Sequence, residues 1–337
     1  MKKFGWGISL IYYPTGLAGG GDTTQAFVKL KADGGADLFL ASNDLGQGVR
    51  TVAMQILSEE TGIPMDQIVI HSRTTDETPI CSGTFASRCT FFAGNAVKNA
   101  GQDLRRQMCE HAAPMLGVTP EALSFEDGKI FVTEDPEKKM LIAELAGAVI
   151  WGAGAPLIGK GYHAKEPARV IDAEKGQLDV ITALAYGATL AELTVDTETG
   201  EVDIQKLYNV YDAGKVINPM LAEAQINGGV VMAVGSSLSE NIYPDYPTDK
   251  WRPKAYSEYY VPTAMDLPPM ESVLVEYPSR DGPYGAKGIG EMTTNSASPA
   301  ILNAIHDAIG VWICDAPATP ERILKALAEK EEKESAC

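Results

Sequence analysis

The sequence predicts an α+β fold divided into two lobes. Three stretches alternate apolar and polar residues on either side of a turn, as β-hairpins do, and longer stretches between them have the spacing of helices. Because these hairpins and helices do not alternate one for one, they favour α+β over a βαβ array. A glycine-rich connector at 152–161 indicates the boundary between lobes at 1–155 and 156–328, followed by a charged tail at 329–337.

The first lobe is predicted to begin with a loop, because residues 5–21 are dense in glycine and proline. Its remaining predicted elements are a hairpin of 26–32 and 37–40, a helix at 49–61, a strand at 67–71, a loop at 74–90, a helix at 91–116, a hairpin within 124–132 and a helix at 141–149. Val52, Ile56 and Leu57 share one face of the helix at 49–61.

The second lobe is predicted to contain a hairpin, a buried helix and two further helices. In chain order these are a hairpin of 188–194 and 202–208, a helix at 219–237, an extended crossing at 243–269, a helix at 298–309 and a last helix opened by Pro320. The helix at 219–237 is apolar almost all round, which predicts burial, and its Gly228-Gly229 pair predicts a close backbone contact. No internal repeat is evident from the sequence.

Composition excludes several classes of function. The net charge of −17, from 45 acidic and 28 basic residues, argues against binding to nucleic acid or to an anionic membrane surface. No stretch has the roughly 20 apolar residues of a membrane helix, and the N-terminal residues lack the apolar run of a signal peptide. The five cysteines form no CxxC pair, which is typical of a reducing cytoplasm. The four histidines lack ligand spacing, so no metal held by protein side chains is predicted.

Three loops that precede predicted helices are the candidate site. The Gly46 loop (residues 43–48) contains Gly46-Gln47-Gly48, which offers backbone amides and one side-chain amide to a ligand. The Arg88 loop (82–90) is rich in hydroxyl groups and carries one arginine, a composition suited to phosphate or pterin recognition. The Glu291 loop (285–291) ends in a carboxylate that, beside a bound cofactor, is placed to act as a general base. Each loop taken alone also fits an ordinary helix start or polar loop.

Taken in order along the chain, these loops resemble those of the xanthine oxidase and aldehyde oxidoreductase family of molybdenum hydroxylases. The motifs are Gly46-Gln47-Gly48, Gly83-Thr84-Phe85-Ala86-Ser87-Arg88, Ile217-Asn218-Pro219 with Gln225-Ile226-Asn227-Gly228-Gly229, Lys287-Gly288-Ile289-Gly290-Glu291, and the closing segment 315–323. The match extends over nearly all of this sequence and corresponds to the C-terminal half of the family's molybdenum-binding chain. The implied fold is the two-lobed molybdenum cofactor-binding domain of the xanthine oxidase type.

The resemblance implies a catalytic base and a cofactor lining. Glu291 corresponds to the family's base, which takes a proton from the water-derived oxygen that attacks an electron-poor carbon. The metal is held by a pterin dithiolene, in bacteria usually as molybdopterin cytosine dinucleotide, with a sulfido or selenido ligand on molybdenum. The residues that correspond to the cofactor lining are Gly46, Gln47, Gly48, Thr84, Phe85, Ala86, Ser87, Arg88, Gln225, Lys287, Gly288, Ile289 and Gly290.

The sequence departs from the family pattern in two residues and in length. Asn227 stands where Glu is usual, and Met292 follows the base where Pro is usual. The extent of the match is that of a medium molybdopterin subunit, which works with a larger molybdopterin subunit, an FAD subunit and a [2Fe–2S] subunit. The expected substrate is a small N-heteroaromatic, nicotinate-like compound. A purine or xanthine dehydrogenase subunit, a non-catalytic structural subunit and a reductive hydroxybenzoyl-CoA type of enzyme are the alternatives.

Overall fold

The structure, a computed structural model, describes residues 1–17, 21–165, 169–179, 183–241 and 255–335. The chain divides into two compact units, each assembled from separated stretches. Unit 1 comprises Met1–Tyr13, Leu184–Tyr277 and Ile289–Cys337, whereas unit 2 comprises Pro14–Ala183 and Pro278–Gly288. The two units are therefore interleaved along the chain, and the sequence position proposed above as a lobe boundary, 155/156, lies within unit 2.

The structure contains the following regular elements among its described residues. The strands are β1 Lys2–Pro14, β2 Thr23–Leu30, β3 Ala36–Leu40, β4 Ile68–His71, β5 Leu123–Glu126, β6 Lys129–Val132, β7 Asp135–Leu141, β8 Ile158–Ala164, β9 Arg169–Asp172, β10 Gln177–Asp179, β11 Leu184–Asp196, β12 Val202–Asp212 and β13 Met270–Val275. The α-helices are α1 Val49–Thr61, α2 Gly94–Leu116, α3 Ile142–Gly147, α4 Pro219–Leu238, α5 Met292–Ile309 and α6 Pro320–Ser335. A π-helical segment, Cys89–Ala93, leads into α2.

Unit 2 is built on a four-stranded sheet with the order β4-β3-β2-β8. β2 is antiparallel to β3 and to β8, and β3 is parallel to β4. α1 and α2 pack against each other and against this sheet, so that Leu38, Leu40, Ile56 and Leu104 are almost completely buried. This packing fixes the loops that join β3 to α1 and β4 to α2.

Unit 1 is built on a second four-stranded sheet, with the order β1-β11-β12-β13. β11 and β12 form an antiparallel hairpin, and β12 is parallel to β13. α4 and α5 pack against each other, and β11 and β13 contact them. The core of the unit includes Leu193, Leu207, Tyr211 and Ile301, all without exposed surface.

The two units repeat one arrangement of elements, so the expectation that the chain has no internal repeat is wrong. In unit 2 the order is hairpin β2-β3, helix α1, parallel strand β4, helix α2 and edge strand β8. In unit 1 it is hairpin β11-β12, helix α4, parallel strand β13 and helix α5, with β1 from the start of the chain as the edge strand. The second helix of each unit carries the pattern A-x-x-N-A-x-x-D, as Ala96, Asn99, Ala100 and Asp103 in α2 and Ala300, Asn303, Ala304 and Asp307 in α5.

These repeated residues hold each edge strand against its helix. A Cβ placed on Gly7 of β1 would lie 2.1 Å from the backbone oxygen of Ala300, and one on Gly161 of β8 would lie 2.1 Å from that of Ala96. The repeated Asn and Asp hydrogen-bond outer backbone groups of the edge strand. These bonds, of 2.9 to 3.0 Å, join Trp6 to Asp307, Ile8 to Asn303, Lys160 to Asp103 and Tyr162 to Asn99.

The α+β class is confirmed, as are the predicted helix at 49–61 and the hairpins β2-β3, β5-β6 and β11-β12. The predicted loop at 5–21 is wrong over its first part, because β1 occupies it and its glycines make room for α5. The strands β7, β8 and β13 were not predicted. Part of the predicted crossing at 243–269 lies outside the described residues, and the segment from 329 belongs to α6 as far as Ser335.

Candidate functional site

The Gly46 loop of unit 2 is shaped by a single carboxylate. Asp44 accepts hydrogen bonds from the N–H groups of Gly46 (2.9 Å), Gly48 (3.2 Å) and Arg50 (3.2 Å). Partial burial acts to raise the pKa of Asp44, but these backbone donors outweigh it and hold the pKa below its ordinary value. The ionised carboxylate therefore fixes the turn that starts α1.

The same loop presents bare backbone. Gly46 and Gly48 have φ angles of 106° and 82°, in the left-handed region that favours glycine. Apart from Gly46 itself and its two chain neighbours, no atom lies within 4 Å of the place where a Cβ of Gly46 would be. The amide of Gln47 closes the loop, since it donates to the Asn43 carbonyl at 3.0 Å and accepts from the Leu45 N–H. A ligand would meet peptide groups of Gly46 rather than side chains.

The Arg88 loop is organised around a buried guanidinium. Arg88 has no exposed surface, and its Nε donates to the equally buried carboxylate of Asp22 at 2.6 Å. Its other donors reach the Cys81 thiol, the Gly83 carbonyl, the Thr23 carbonyl and the Thr24 hydroxyl at 2.7 to 3.3 Å. All five N–H groups of Arg88 are thus used inside the protein.

The sequence suggested that Arg88 lines the cofactor, within a loop suited to phosphate or pterin recognition, whereas in this structure its donors are used inside the protein. The guanidinium also lies over the rings of Phe85 and Phe92, at 5.6 and 4.8 Å from their centroids. Within the loop, Ala86 and Ser87 have φ angles of 46° and 51°, which are unfavourable for residues with a Cβ. Arg88 therefore supports a strained turn whose half-buried residues are Phe85, Ala86 and Ser87.

Two contacts join the three predicted loops within unit 2. The Thr84 hydroxyl donates to the Asn43 carbonyl at 2.8 Å, which ties the Arg88 loop to the Gly46 loop. Gly288 is buried directly against the Ser87 carbonyl, and a Cβ on Gly288 would lie 1.6 Å from that oxygen. Lys287 beside it is 6% exposed. The structure thus brings together the predicted residues of the first two loops and the start of the third.

The end of the Glu291 loop belongs to unit 1. Glu291 is half-buried and occupies the N-cap of α5, with helical backbone angles of −77° and −23°. The turn is tied by the Thr293 hydroxyl, which donates to the Gly290 carbonyl at 2.9 Å. Ile289 is buried in the core of the unit. The carboxylate of the candidate base therefore projects from a fixed helix start.

Helix α4 packs its glycine pair beside this helix start. A Cβ on Gly229 would lie 1.8 Å from the hydroxyl of Thr293, and the Thr294 hydroxyl donates to the Gly229 carbonyl at 3.0 Å. The close contact predicted for the pair is confirmed at Gly229, whereas Gly228 is exposed. Gln225 is half-buried one turn earlier on α4.

Asp22 and Cys81 are functional candidates that sequence reasoning missed or set aside. No local sequence pattern marks Asp22 as important, because its ion-pair partner, Arg88, is 66 residues away in the chain. Burial acts to raise the pKa of the Cys81 thiol, but hydrogen bonds from Ser42, Thr24, the Gly83 N–H and Arg88 outweigh it, so the pKa lies below its ordinary value. Both residues accept hydrogen bonds from Arg88 and so help to fix the Arg88 loop.

The described residues contain no group of three or more His, Cys, Asp or Glu side chains that could hold a metal ion. None of the helices in the described ranges is both long enough and apolar enough to span a membrane.

The sequence matches the family model of a molybdopterin cofactor-binding domain over residues 1–268. Among curated proteins, it is 32% identical to the putative xanthine dehydrogenase molybdenum-binding subunit XdhA of Escherichia coli K12, over 92% of this chain and 40% of that protein. It is also 32% identical to the nicotine 6-hydroxylase large subunit of Paenarthrobacter nicotinovorans, over 96% of this chain and 40% of that protein. The chain thus spans about 40% of the length of these relatives.

The fold is similar to those of solved structures with related sequences. Quinoline 2-oxidoreductase from Pseudomonas putida 86 superposes with a TM-score of 0.84 and 28% identity, over 97% of this chain and 42% of that chain. Aldehyde oxidoreductase from Desulfovibrio gigas gives a TM-score of 0.80 and 29% identity, over 97% of this chain and 33% of that chain.

Proposed function

The chain belongs to the family of molybdopterin cofactor-binding domains of molybdenum hydroxylases, and from this premise we propose that it is a molybdopterin-binding subunit of a split hydroxylase. In this proposal it resembles the medium molybdopterin subunit of nicotinate dehydrogenase. The hydroxylase would insert water-derived oxygen into an N-heteroaromatic ring. The observation that carries the proposal is the joining of the Gly46 loop, the Arg88 loop and Gly288 within one unit, on the same chain as Glu291.

The residues present fit a pterin-held metal. Such a cofactor needs hydrogen-bonding backbone and close approach more than side-chain metal ligands. The open backbone at Gly46 provides this kind of surface, and the close contact of Gly288 with the Ser87 carbonyl holds the start of the Glu291 loop against the Arg88 loop. The residues that would hold the cofactor are Gly46, Gln47, Gly48, Thr84, Phe85, Ala86, Ser87, Gln225, Lys287, Gly288, Ile289 and Gly290, with Arg88 supporting them from behind. When bound, molybdopterin cytosine dinucleotide supplies the two-electron redox chemistry.

Glu291 would act as the general base. Its carboxylate accepts the proton of the water that provides the oxygen atom, and it later releases that proton to solvent. The backbone of Glu291 is fixed at the N-cap of α5, and the Thr293 hydroxyl ties the turn before it. The side chain that carries the carboxylate therefore starts from a fixed backbone position. A general base of this kind contributes about 10²- to 10⁴-fold to the rate.

The remaining parts of the enzyme would lie on partner subunits. We propose a larger molybdopterin subunit that completes the cofactor and substrate pockets, together with an FAD subunit and a [2Fe–2S] subunit that carry electrons away. This agrees with a chain that spans about 40% of its relatives. We propose a cytoplasmic location, consistent with cysteines that form no CxxC pattern.

The substrate class rests on the half-buried Phe85 and on the relatives. An aromatic ring can stack on a planar heterocycle, and Phe85 lies half-buried in the Arg88 loop. Nicotine 6-hydroxylase and quinoline 2-oxidoreductase are named for N-heteroaromatic compounds, which favours a nicotinate-like substrate. The similarity to a xanthine dehydrogenase subunit favours a purine as the second candidate. Turnover of nicotinate, quinoline, xanthine and hypoxanthine by the purified complex decides between them.

The test of the base is Glu291→Gln in the complex purified from its native source, with Glu223→Gln as the matched control. Glu223 is exposed on α4 of the same unit. We expect Glu291→Gln to lower kcat at least 100-fold while molybdenum content stays at the wild-type level, and Glu223→Gln to change neither. Full activity of Glu291→Gln would remove Glu291 from the mechanism.

A non-catalytic role is the alternative that the same preparation tests. Molybdenum and iron in the complex, together with turnover that depends on Glu291, support catalysis. A complex without molybdenum, purified from cells that make the cofactor, would assign the chain a structural role.

A further inference from the structure

The edge strand β1 exposes an unbroken row of large apolar side chains. Phe4, Trp6, Ile8, Leu10 and Tyr12 alternate along it, and their exposed fractions are 48%, 46%, 59%, 77% and 69%. The residues between them face α5. Every outward position from 4 to 12 is thus apolar, where a solvated strand would carry polar residues.

The apolar row continues across one part of the sheet of unit 1, beside the Lys206–Glu271 ion pair on the same face. Val210 of β12 pairs with Val273 of β13, so these two side chains share a face. Both are exposed, at 40% and 47%, as are Val275 and Tyr186 at 42% and 51%. We name this surface, formed by the β1 row with Tyr186, Val210, Val273 and Val275, the apolar sheet face.

The apolar sheet face is larger than a monomeric protein commonly exposes. With roughly 200 Å² for each large side chain, the exposed fractions of the β1 row alone amount to roughly 600 Å². That is the upper end of the largest apolar patch on a typical monomer, about 300–600 Å². The additional residues bring the face close to the roughly 800 Å² that one partner contributes to a stable interface.

The backbone at the outer edge of β1 is already occupied. Asp307 accepts from the Trp6 N–H at 2.9 Å, and Asn303 donates to the Ile8 carbonyl at 2.9 Å. These bonds block the addition of another strand along this part of β1, which is how natural sheets protect their edges. A partner would therefore bind through side chains on the face, as one layer of a protein packs on another.

We propose that the apolar sheet face is the docking surface for the larger molybdopterin subunit. This inference rests on the proposed function. The occupant is inferred from the relatives: the chain aligns over 92% to 97% of itself with proteins of which it covers only about 40%. In those relatives, the remaining three-fifths of the length belongs to the same polypeptide. An apolar face of near-interface size on this chain is the surface that such a counterpart would cover.

The experiment combines a photo-crosslinking amino acid at position 10 with the variant Leu10→Glu. Both are introduced into the full chain, which carries an affinity tag and is purified as a complex from its native source. Leu10 is the most exposed member of the β1 row, so the charge disturbs the folded chain least there. Met265→Glu is the matched control, because Met265 is a large apolar residue of the same unit that is 92% exposed and outside the face.

We expect the crosslink to join position 10 to a polypeptide whose sequence matches the part of the xanthine dehydrogenase molybdenum-binding subunit that this chain leaves uncovered. Leu10→Glu should reduce recovery of that polypeptide at least tenfold at an unchanged melting temperature of the isolated chain, whereas Met265→Glu should not. A crosslink to a second copy of this chain, or full recovery with Leu10→Glu, would overturn the proposal.

Failure of the docking surface and failure of the proposed function give different results. If wild-type complex contains molybdenum and turns over substrate but Leu10→Glu assembles normally, the surface is wrong and the function stands. If the crosslink and the loss of assembly occur as expected but the complex contains no molybdenum, the surface stands and the catalytic function is wrong.

Discussion

Replacement of Asp22 by Asn removes the charge partner of a guanidinium that has no contact with solvent. Asp22 and Arg88 are both fully buried, and their ion pair measures 2.6 Å. Removing one partner from a buried pair costs about 3–5 kcal/mol, because the other charge stays buried without compensation. Asn keeps the shape but only one of the two acceptor oxygens, which serve Arg88 and the Leu17 N–H. We therefore expect Asp22→Asn to lower the free energy of unfolding by about 3–5 kcal/mol.

Asp22→Asn should also affect the turn at Ala86 and Ser87, which we propose faces the cofactor. Ala86 and Ser87 adopt left-handed backbone angles, at a cost of about 1–2 kcal/mol each. Arg88 directly follows Ser87 in the chain, so a guanidinium left without its charge partner should disturb this strained turn. We therefore expect Asp22→Asn to lower the molybdenum content of the purified complex as well.

The assay is urea denaturation of the isolated chain at pH 7, with molybdenum analysis of the complex as the second measurement. Glu110→Gln is the control, because it breaks a pair with Arg106 on the exposed surface of α2. Such a pair contributes about 0.3–0.5 kcal/mol. If Asp22→Asn changes the unfolding free energy no more than Glu110→Gln does, the buried carboxylate is not needed to compensate the charge of Arg88.

Three further predictions concern the glycine contacts and the Gly46 loop. Gly288→Ala should abolish molybdenum retention, measured by elemental analysis, because its Cβ would lie 1.6 Å from the Ser87 carbonyl oxygen. Gly7→Ala should destabilise the chain by about 1–3 kcal/mol in urea through overpacking against α5, whereas Gly228→Ala, with open space around it, should stabilise α4 by about 0.5–1 kcal/mol. Asp44→Asn should lower the free energy of unfolding at pH 7. Because the folded state lowers the pKa of Asp44, the stability difference between wild type and variant should be complete above the ordinary pKa of about 3.9 and should disappear as the pH falls through the folded pKa. Urea titrations of both proteins at pH 7 and at about pH 3 measure this difference.

Helix α1 and strand β1 show where local patterns predict structure and where they do not. The spacing of apolar residues predicted a helix at 49–61, and α1 is Val49–Thr61, because the pattern that forms the helix is also the pattern that buries it. Residues 5–21 were predicted as loop because glycine and proline usually mark turns. In β1 the glycines instead admit the backbone of α5, a tertiary contact that no local rule contains.

The candidate site shows the same division. The order of the loop motifs identified the family, and the structure places the Gly46 loop, the Arg88 loop and Gly288 in contact. The direction of the Arg88 side chain could not be predicted. It depends on Asp22, Thr23 and Thr24, which are about 65 residues earlier in the chain. The sequence indicated an arginine suited to binding an anion, whereas in the fold Arg88 is buried and supports the loop.

The repeat of the two units relates Ser87 to Glu291. Each is nine residues before the first alanine of its A-x-x-N-A-x-x-D pattern, and each lies in the segment between the parallel strand and the second helix. The two turns nevertheless differ in backbone, with φ 51° at Ser87 and −77° at Glu291. The turn in unit 2 is strained and depends on the Asp22–Arg88 pair, whereas the turn in unit 1 has ordinary helical angles. Substitution of Glu291 by Gln therefore needs no backbone rearrangement, and a loss of turnover in that variant reports on the proton at the carboxylate rather than on the fold.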